Sequence, residues 1–249
     1  IHTLLTTEVG PDGEPMMTLG NKLLKRCRNV DEAVAYLKPL RTQAGWNFLL
    51  ADREKAAHVE MTNRACRSRY APGGTMAYAN LHRMEEFYQA ELDLCPTMIN
   101  NFTCRLSRME QLLNENRGKL NVQRAVAMLG DDYDPLNQRR RATGLTINQM
   151  NNVMSFIACP ENMGFWMASG ASPVCNTHYV GLHFEDGMGD APGWCLNPDY
   201  EAPLCGSARY QGLRRYIKAN DAYFMRGDVE TAASLMAEAE RLDSEEPYY

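Results

Sequence analysis

The sequence predicts an α+β fold, and three observations carry the prediction. Apolar residues recur at the three-to-four residue spacing of amphipathic helices over Met17–Leu40 and again over Cys104–Leu129. Two extended apolar runs, Trp46–Ala51 and Ala56–Met61, flank the short polar stretch Asp52–Lys55, the pattern of a hairpin. The same order then repeats, helices first and a pair of strands after. Helices therefore cover sheets whose strands pair with near neighbours.

The elements follow in chain order. Leu23, Leu24, Cys27, Val30, Val34 and Leu37 mark the apolar stripe of the first helical stretch. Asn29-Val30-Asp31-Glu32 opens a second helix inside it, with Asn29 as the cap and Pro39 at its end. After the hairpin, Pro72-Gly73-Gly74 is a loop and Met76–Asn80 a further strand. In the next helical stretch Leu106, Met109, Leu112 and Leu113 share a face, and Gly118 ends it. Val122–Leu129 is a shorter helix closed by Gly130. Met150–Cys159 and Gly164–Ser169, broken at Pro160-Glu161-Asn162, form a second hairpin, and Val180–Phe184 one more short strand. Gly187, Gly189, Pro192, Gly193, Pro198, Pro203 and Gly206 punctuate a linker. Tyr210–Leu242 reads as a helical hairpin turning at Gly227-Asp228. One helix presents Tyr216, Ala219, Tyr223 and Phe224, the other Ala232, Leu235, Met236, Ala239 and Leu242, and the pair resembles a single tetratricopeptide-type unit. The expected division is one layered domain over 1–186, a linker over 187–209 and the helical hairpin over 210–249.

Composition narrows the function by exclusion. Of 249 residues, 45% are hydrophobic and 23% charged, an ordinary globular balance. The formal net charge of −5 offers no basic face for nucleic acid. Arg139-Arg140-Arg141 is a short basic run expected in a solvated loop. No apolar run nears the roughly 18 residues that span a bilayer. Ile1-His2-Thr3 has no basic region ahead of an apolar stretch, so no signal peptide is read, and the compartment stays open. None of the eight cysteines (Cys27, Cys66, Cys95, Cys104, Cys159, Cys175, Cys195 and Cys205) is spaced as C-x-x-C, which gives a metal site no local support. Their even number permits disulfides, while their apolar surroundings favour buried thiols. Nothing in the sequence calls for a cofactor.

Several segments carry a resemblance. Ala44-Gly45-Trp46-Asn47-Phe48-Leu49-Leu50-Ala51-Asp52, then Val59-Glu60, then Tyr78-Ala79-Asn80 stand in one order. Cys104-Arg105-Leu106-Ser107-Arg108 opens the next helix. Val153–Pro160 and Phe165–Gly170 follow as the closing hairpin. Together, over roughly Thr3–Phe184, they resemble the acyl-coenzyme A:6-aminopenicillanate acyltransferase family, peptidase family C45, and more distantly the choloylglycine hydrolases. The resemblance implies an αββα sandwich, here incomplete, of the N-terminal-nucleophile kind. It implies amidohydrolase or acyltransferase chemistry in which a newly freed N-terminal Cys attacks an amide or thioester, with its own α-amino group as base. The substrate would be a small acyl amide or acyl thioester.

Carried over by position, Asn80 matches the side chain that helps to hold the oxyanion, and Arg105 the guanidinium that favours thiolate and orients substrate. Taken alone, Asn80 reads equally as a strand-end residue closing a turn, and Arg105 as half of a surface ion pair. Asn47 is a weaker candidate, Asp52 and Glu60 read as structural, and His58 and His82 have no role that the resemblance supplies. Asn80-Leu81-His82 departs from the usual Asn-His pair. Position 1 is Ile, so the nucleophile is expected on a segment before Ile1, and these residues alone are expected to be inactive by that mechanism. The competing expectation is a non-catalytic domain whose C-terminal helices bind a partner protein.

Overall fold

The computed structural model describes residues 1–71, 74–92, 95–183 and 197–249. Pro72 and Gly73 of the expected loop, Phe184 and the linker positions from Gly187 through Cys195 lie outside them. The architecture is α+β, with antiparallel sheets throughout. Contacts divide the chain into two compact units, Ile1–Leu106 and Ser107–Tyr249.

In the first unit, β1 (His2–Leu4), β2 (Gly45–Ala51), β3 (Ala56–Met61) and β4 (Cys66–Tyr70) form one sheet in that order. Gly45 is required where β1 meets β2, because a Cβ there would lie 2.5 Å from the Leu4 carbonyl oxygen. Two helices, α1 (Met16–Arg26) and α2 (Val30–Leu37), cover one sheet face. Leu19, Leu23, Ala33 and Leu37 bury themselves against Phe48, Val59, Met61 and Cys66. Asn29 caps α2 by accepting from the Glu32 N–H at 2.9 Å. Asp52 builds the hairpin turn by accepting from the Glu54 and Lys55 N–H groups, and its other oxygen takes the Val30 N–H at 2.8 Å.

Residues Thr6 and Thr7 tie the following stretch down, both hydroxyls and the Thr7 N–H donating to the Ala90 carbonyl. α3 (Pro96–Glu115) then begins.

The second unit holds α4 (Val122–Leu129), capped by Asn121 and stopped at Gly130, and the small pair β5 (Tyr133–Asp134) and β6 (Arg139–Arg140). Its main sheet runs in the order β10 (Tyr200–Glu201), β9 (His178–His183), β8 (Gly164–Ser169), β7 (Phe156–Cys159). Val126, Trp166, Tyr179 and Ala202 are its buried core. α5 (Ala208–Asn220) and α6 (Val229–Leu242) make the helical hairpin, joined through a π-helical turn at Asp221–Met225 and Gly227 at φ +66°. Gly212 lets the helices close up, since a Cβ there would sit 3.2 Å from the Ala239 carbonyl oxygen.

Five expectations need correction. Met76–Asn80 is not a strand; the fourth strand is Cys66–Tyr70, whose Arg67-Ser68-Arg69 centre carries no apolar alternation. α3 starts at Pro96, not at Cys104. The first strand of the second hairpin is only Phe156–Cys159. Tyr223 and Phe224 are exposed, because the π turn rotates them off the face that Ala219 and Ala222 bury. Arg141 is not solvated but 5% exposed, clamped to Glu246.

Candidate functional site

The second face of the first sheet is polar where it meets the 76–83 stretch. Asn47 and Glu60 are direct cross-strand partners on β2 and β3 and point to the same side. Both are fully buried, although each sits between apolar neighbours, Trp46 and Phe48 for one, Val59 and Met61 for the other. The Asn47 Nδ2 donates to the Ala79 carbonyl at 3.2 Å. Glu60 Oε1 accepts from the Arg83 N–H at 2.7 Å, and Oε2 meets His82 Nδ1 at 3.1 Å. His82 is itself buried, with its ring stacked on Phe87, and its backbone N–H donates to Glu91.

Asn80 lies between these two grips. Its Nδ2 donates to the Thr3 carbonyl of β1 at 3.0 Å, and its Oδ1 accepts from Arg105 Nη2 at 2.9 Å. Arg105 is aimed in turn by its Nε, which donates at 2.9 Å to Asn101 Oδ1 one turn earlier on α3, and by the Phe102 ring 5.5 Å from the guanidinium. The amide is thus oriented: its oxygen faces a cation and its nitrogen faces a carbonyl. An amide nitrogen has two N–H bonds, and Thr3 takes one of them. Burial lowers the Arg105 pKa from its usual value, yet a guanidinium remains charged. Burial is the main cause that holds the His2 imidazole below its usual pKa.

The structure therefore brings Asn80 and Arg105 into contact. Asp52 stands apart, at the hairpin turn beside α2. His58 packs its ring on Tyr78 at 3.7 Å between centroids. Burial, then the charges of Arg69, Arg83 and His82, pushes its pKa down to about 3. Among the described residues, neither His58 ring nitrogen, nor His82 Nε2, nor Asn47 Oδ1 has a hydrogen-bond partner. The Asn47–Glu60 pair holds the 79–83 stretch from the sheet. Its signal was available: two polar residues in the apolar runs of adjacent strands.

Other chemistry finds less support among the described residues. No group of three His, Cys, Asp or Glu side chains is placed to hold a metal ion. No helix is long and apolar enough to cross a membrane. None of the seven described cysteines is in a disulfide. Burial pushes the Cys66 thiol up to about 11 and the Cys175 thiol up to about 12, away from thiolate. A groove of about 580 Å³ opens beside β4, lined by Arg67, Arg69, Arg83 and Tyr88 among others, and neither Asn80 nor Arg105 contributes to it.

Comparison with known proteins adds one finding. Residues 1–172 match the family described as Acyl-coenzyme A:6-aminopenicillanic acid acyl-transferase, which is more than half of the chain. No curated protein matches it.

Proposed function

The chain belongs to the acyl-coenzyme A:6-aminopenicillanic acid acyl-transferase family, and from that premise we propose that it forms part of an enzyme that transfers or hydrolyses an acyl group held as an amide or thioester. The observation that supports the reading is the Asn80–Arg105 hydrogen bond at 2.9 Å, which fixes the amide with its nitrogen turned away from the guanidinium.

In this mechanism the nucleophile is the thiol of an N-terminal Cys, with its own α-amino group as base. The α-amine takes the thiol proton, and the sulfur adds to the acyl carbonyl. The second Asn80 N–H donates to the oxyanion, where a preoriented dipole acts most strongly. Collapse expels the amine or thiol, which leaves with the proton, and the acyl group remains on sulfur. Water or an acceptor amine then attacks the thioester and restores the thiol. Arg105 holds the amide in its working orientation and adds positive potential near the thiolate.

The test uses the complete protein. Asn80→Ala should lower kcat by about 10²–10³, the usual cost of removing one oxyanion donor, with the melting temperature little changed. A variant that keeps wild-type kcat would sink the reading.

A further inference from the structure

We propose that the cross-strand pair Asn47–Glu60 is a positioning device for Asn80, acting through the backbone on either side of it. The inference rests on the reading of Asn80 as an oxyanion donor.

The stretch 76–80 lies beside a sheet without joining it as a strand. A ladder would have fixed its backbone through regular N–H to carbonyl bonds. Here side chains supply the grip. Asn47 holds the carbonyl of Ala79, one residue before Asn80. Glu60 holds the ring of His82 and the N–H of Arg83, two and three residues after it. The two gripping residues are direct neighbours across β2 and β3, so both ends of the segment refer to one rigid point.

A core role alone does not account for this choice. A buried acidic side chain carries a desolvation cost that an apolar residue of similar size avoids. The opposite face of the same strands is apolar throughout, with Trp46, Phe48, Val59 and Met61 packed under the helices. The polar pair sits only where the Asn80 segment crosses the sheet. Asn80 Nδ2 must lie within hydrogen-bond reach of a developing charge, and a displacement of about 1 Å can reduce rate about 10²-fold. The pair limits that displacement without touching substrate.

The experiment is a double-mutant cycle on the complete protein. Asn47→Ala and Glu60→Gln are each made alone and on an Asn80→Ala background, and Glu60→Ala is added for comparison. Each single variant is expected to lower kcat about 10-fold or more with KM changed less than about two-fold, while on the Asn80→Ala background the same changes move kcat by less than about two-fold. Glu60→Gln, which keeps an oxygen for the Arg83 N–H, should retain more kcat than Glu60→Ala. If Glu60→Ala fails to fold, Asn47→Ala and Glu60→Gln decide the matter. Hydrogen exchange on the present chain gives a readout free of turnover: amides of Ala79–Arg83 should exchange about 10-fold faster in both variants, with α1 and α2 unchanged. Wild-type kcat in Asn80→Ala overturns the site reading and this inference with it. Loss of kcat in Asn80→Ala but not in Asn47→Ala or Glu60→Gln overturns this inference alone. Losses that add on the Asn80→Ala background also overturn it, because the pair would then act elsewhere.

Discussion

Each unit buries a glutamate, and the two are held in opposite ways. In the second unit Glu246 receives Arg141 Nε at 3.0 Å, Arg141 Nη2 at 2.8 Å and the Ala142 N–H at 2.6 Å. The same guanidinium faces the Tyr248 ring at 4.6 Å. Next to it Asp132 pairs with Arg140 and Arg209, and Arg209 reaches on to Asp243. In the first unit Glu60 has a backbone N–H and an imidazole instead, and four polar atoms of Asn47, His58 and His82 have no hydrogen-bond partner among the described residues. Permanent cations close the first network and dock the end of the chain. The second network leaves hydrogen-bonding capacity unmet behind Asn80. Unmet capacity of this kind calls for a reason beyond stability, and the positioning role proposed above for Asn47 and Glu60 would supply one.

The largest expected effect lies in the closed network. Glu246→Ala would leave the Arg141 guanidinium buried with only the longer 3.9 Å contact to Asp134 opposing its charge, a loss of about 3–5 kcal/mol. Denaturant unfolding should show it, and hydrogen exchange should place it in the second unit with the amides of Ala79–Arg83 unaffected. Equal loss of protection in both units would break the contrast between the clusters. The paired change Arg141→Met with Glu246→Leu should recover most of the loss, since an apolar pair of similar volume often matches a buried ion pair.

This contrast was only partly legible in the sequence, and the reason is range. Asn29 caps its helix through a bond three residues long, which spacing shows directly. Arg141 lies 105 residues from Glu246, so no local rule could remove it from a basic run that reads as solvated. Met76–Asn80 has the composition of a strand, but in place of a ladder Asn47 holds its Ala79 carbonyl and Glu60 the Arg83 N–H just beyond it. Cys66–Tyr70 became the strand because Ala57–Met61 pairs with it, a decision made by the partner and not by its own residues. Asn80 and Arg105 are 25 residues apart, and resemblance, not periodicity, singled them out.

The next effect in size is one of pH, and its sign follows from His58. Its imidazole titrates at about 3 in the folded chain against 6.5 when free. Between those values the unfolded chain binds the extra proton, so stability rises with pH across the window and is lost as pH falls below 6.5. The groups facing the ring are Tyr78, Glu60 and His82, with the charges of Arg69 and Arg83 felt beyond them. One proton is worth at most about 1.4 kcal/mol per pH unit, so the first unit should lose about 2 kcal/mol between pH 6.5 and pH 5. Stability measured by exchange of the β3 amides at both values would check it. A first unit equally stable at both would mean that His58 is protonated in place.

The smallest effect is the most discriminating. His58→Phe keeps a ring to stack on Tyr78 and removes two buried nitrogens that bond to nothing, so stability at pH 7 should change by less than about 1 kcal/mol. The slope below pH 6.5 should flatten by one proton. The contrary case is physically definite, because Glu60 Oε1 stands 3.6 Å from His58 Nε2. If that contact were an ion pair, the native imidazole would hold its proton, stability would stay nearly level below pH 6.5 and fall as pH rises above it, and the Phe variant would lose several kcal/mol by stranding the carboxylate. The two cases differ in direction and not only in size. One unfolding series across pH 6.5 therefore decides whether His58 stands neutral in the cluster behind Asn80, unlike the guanidinium that closes the network around Glu246.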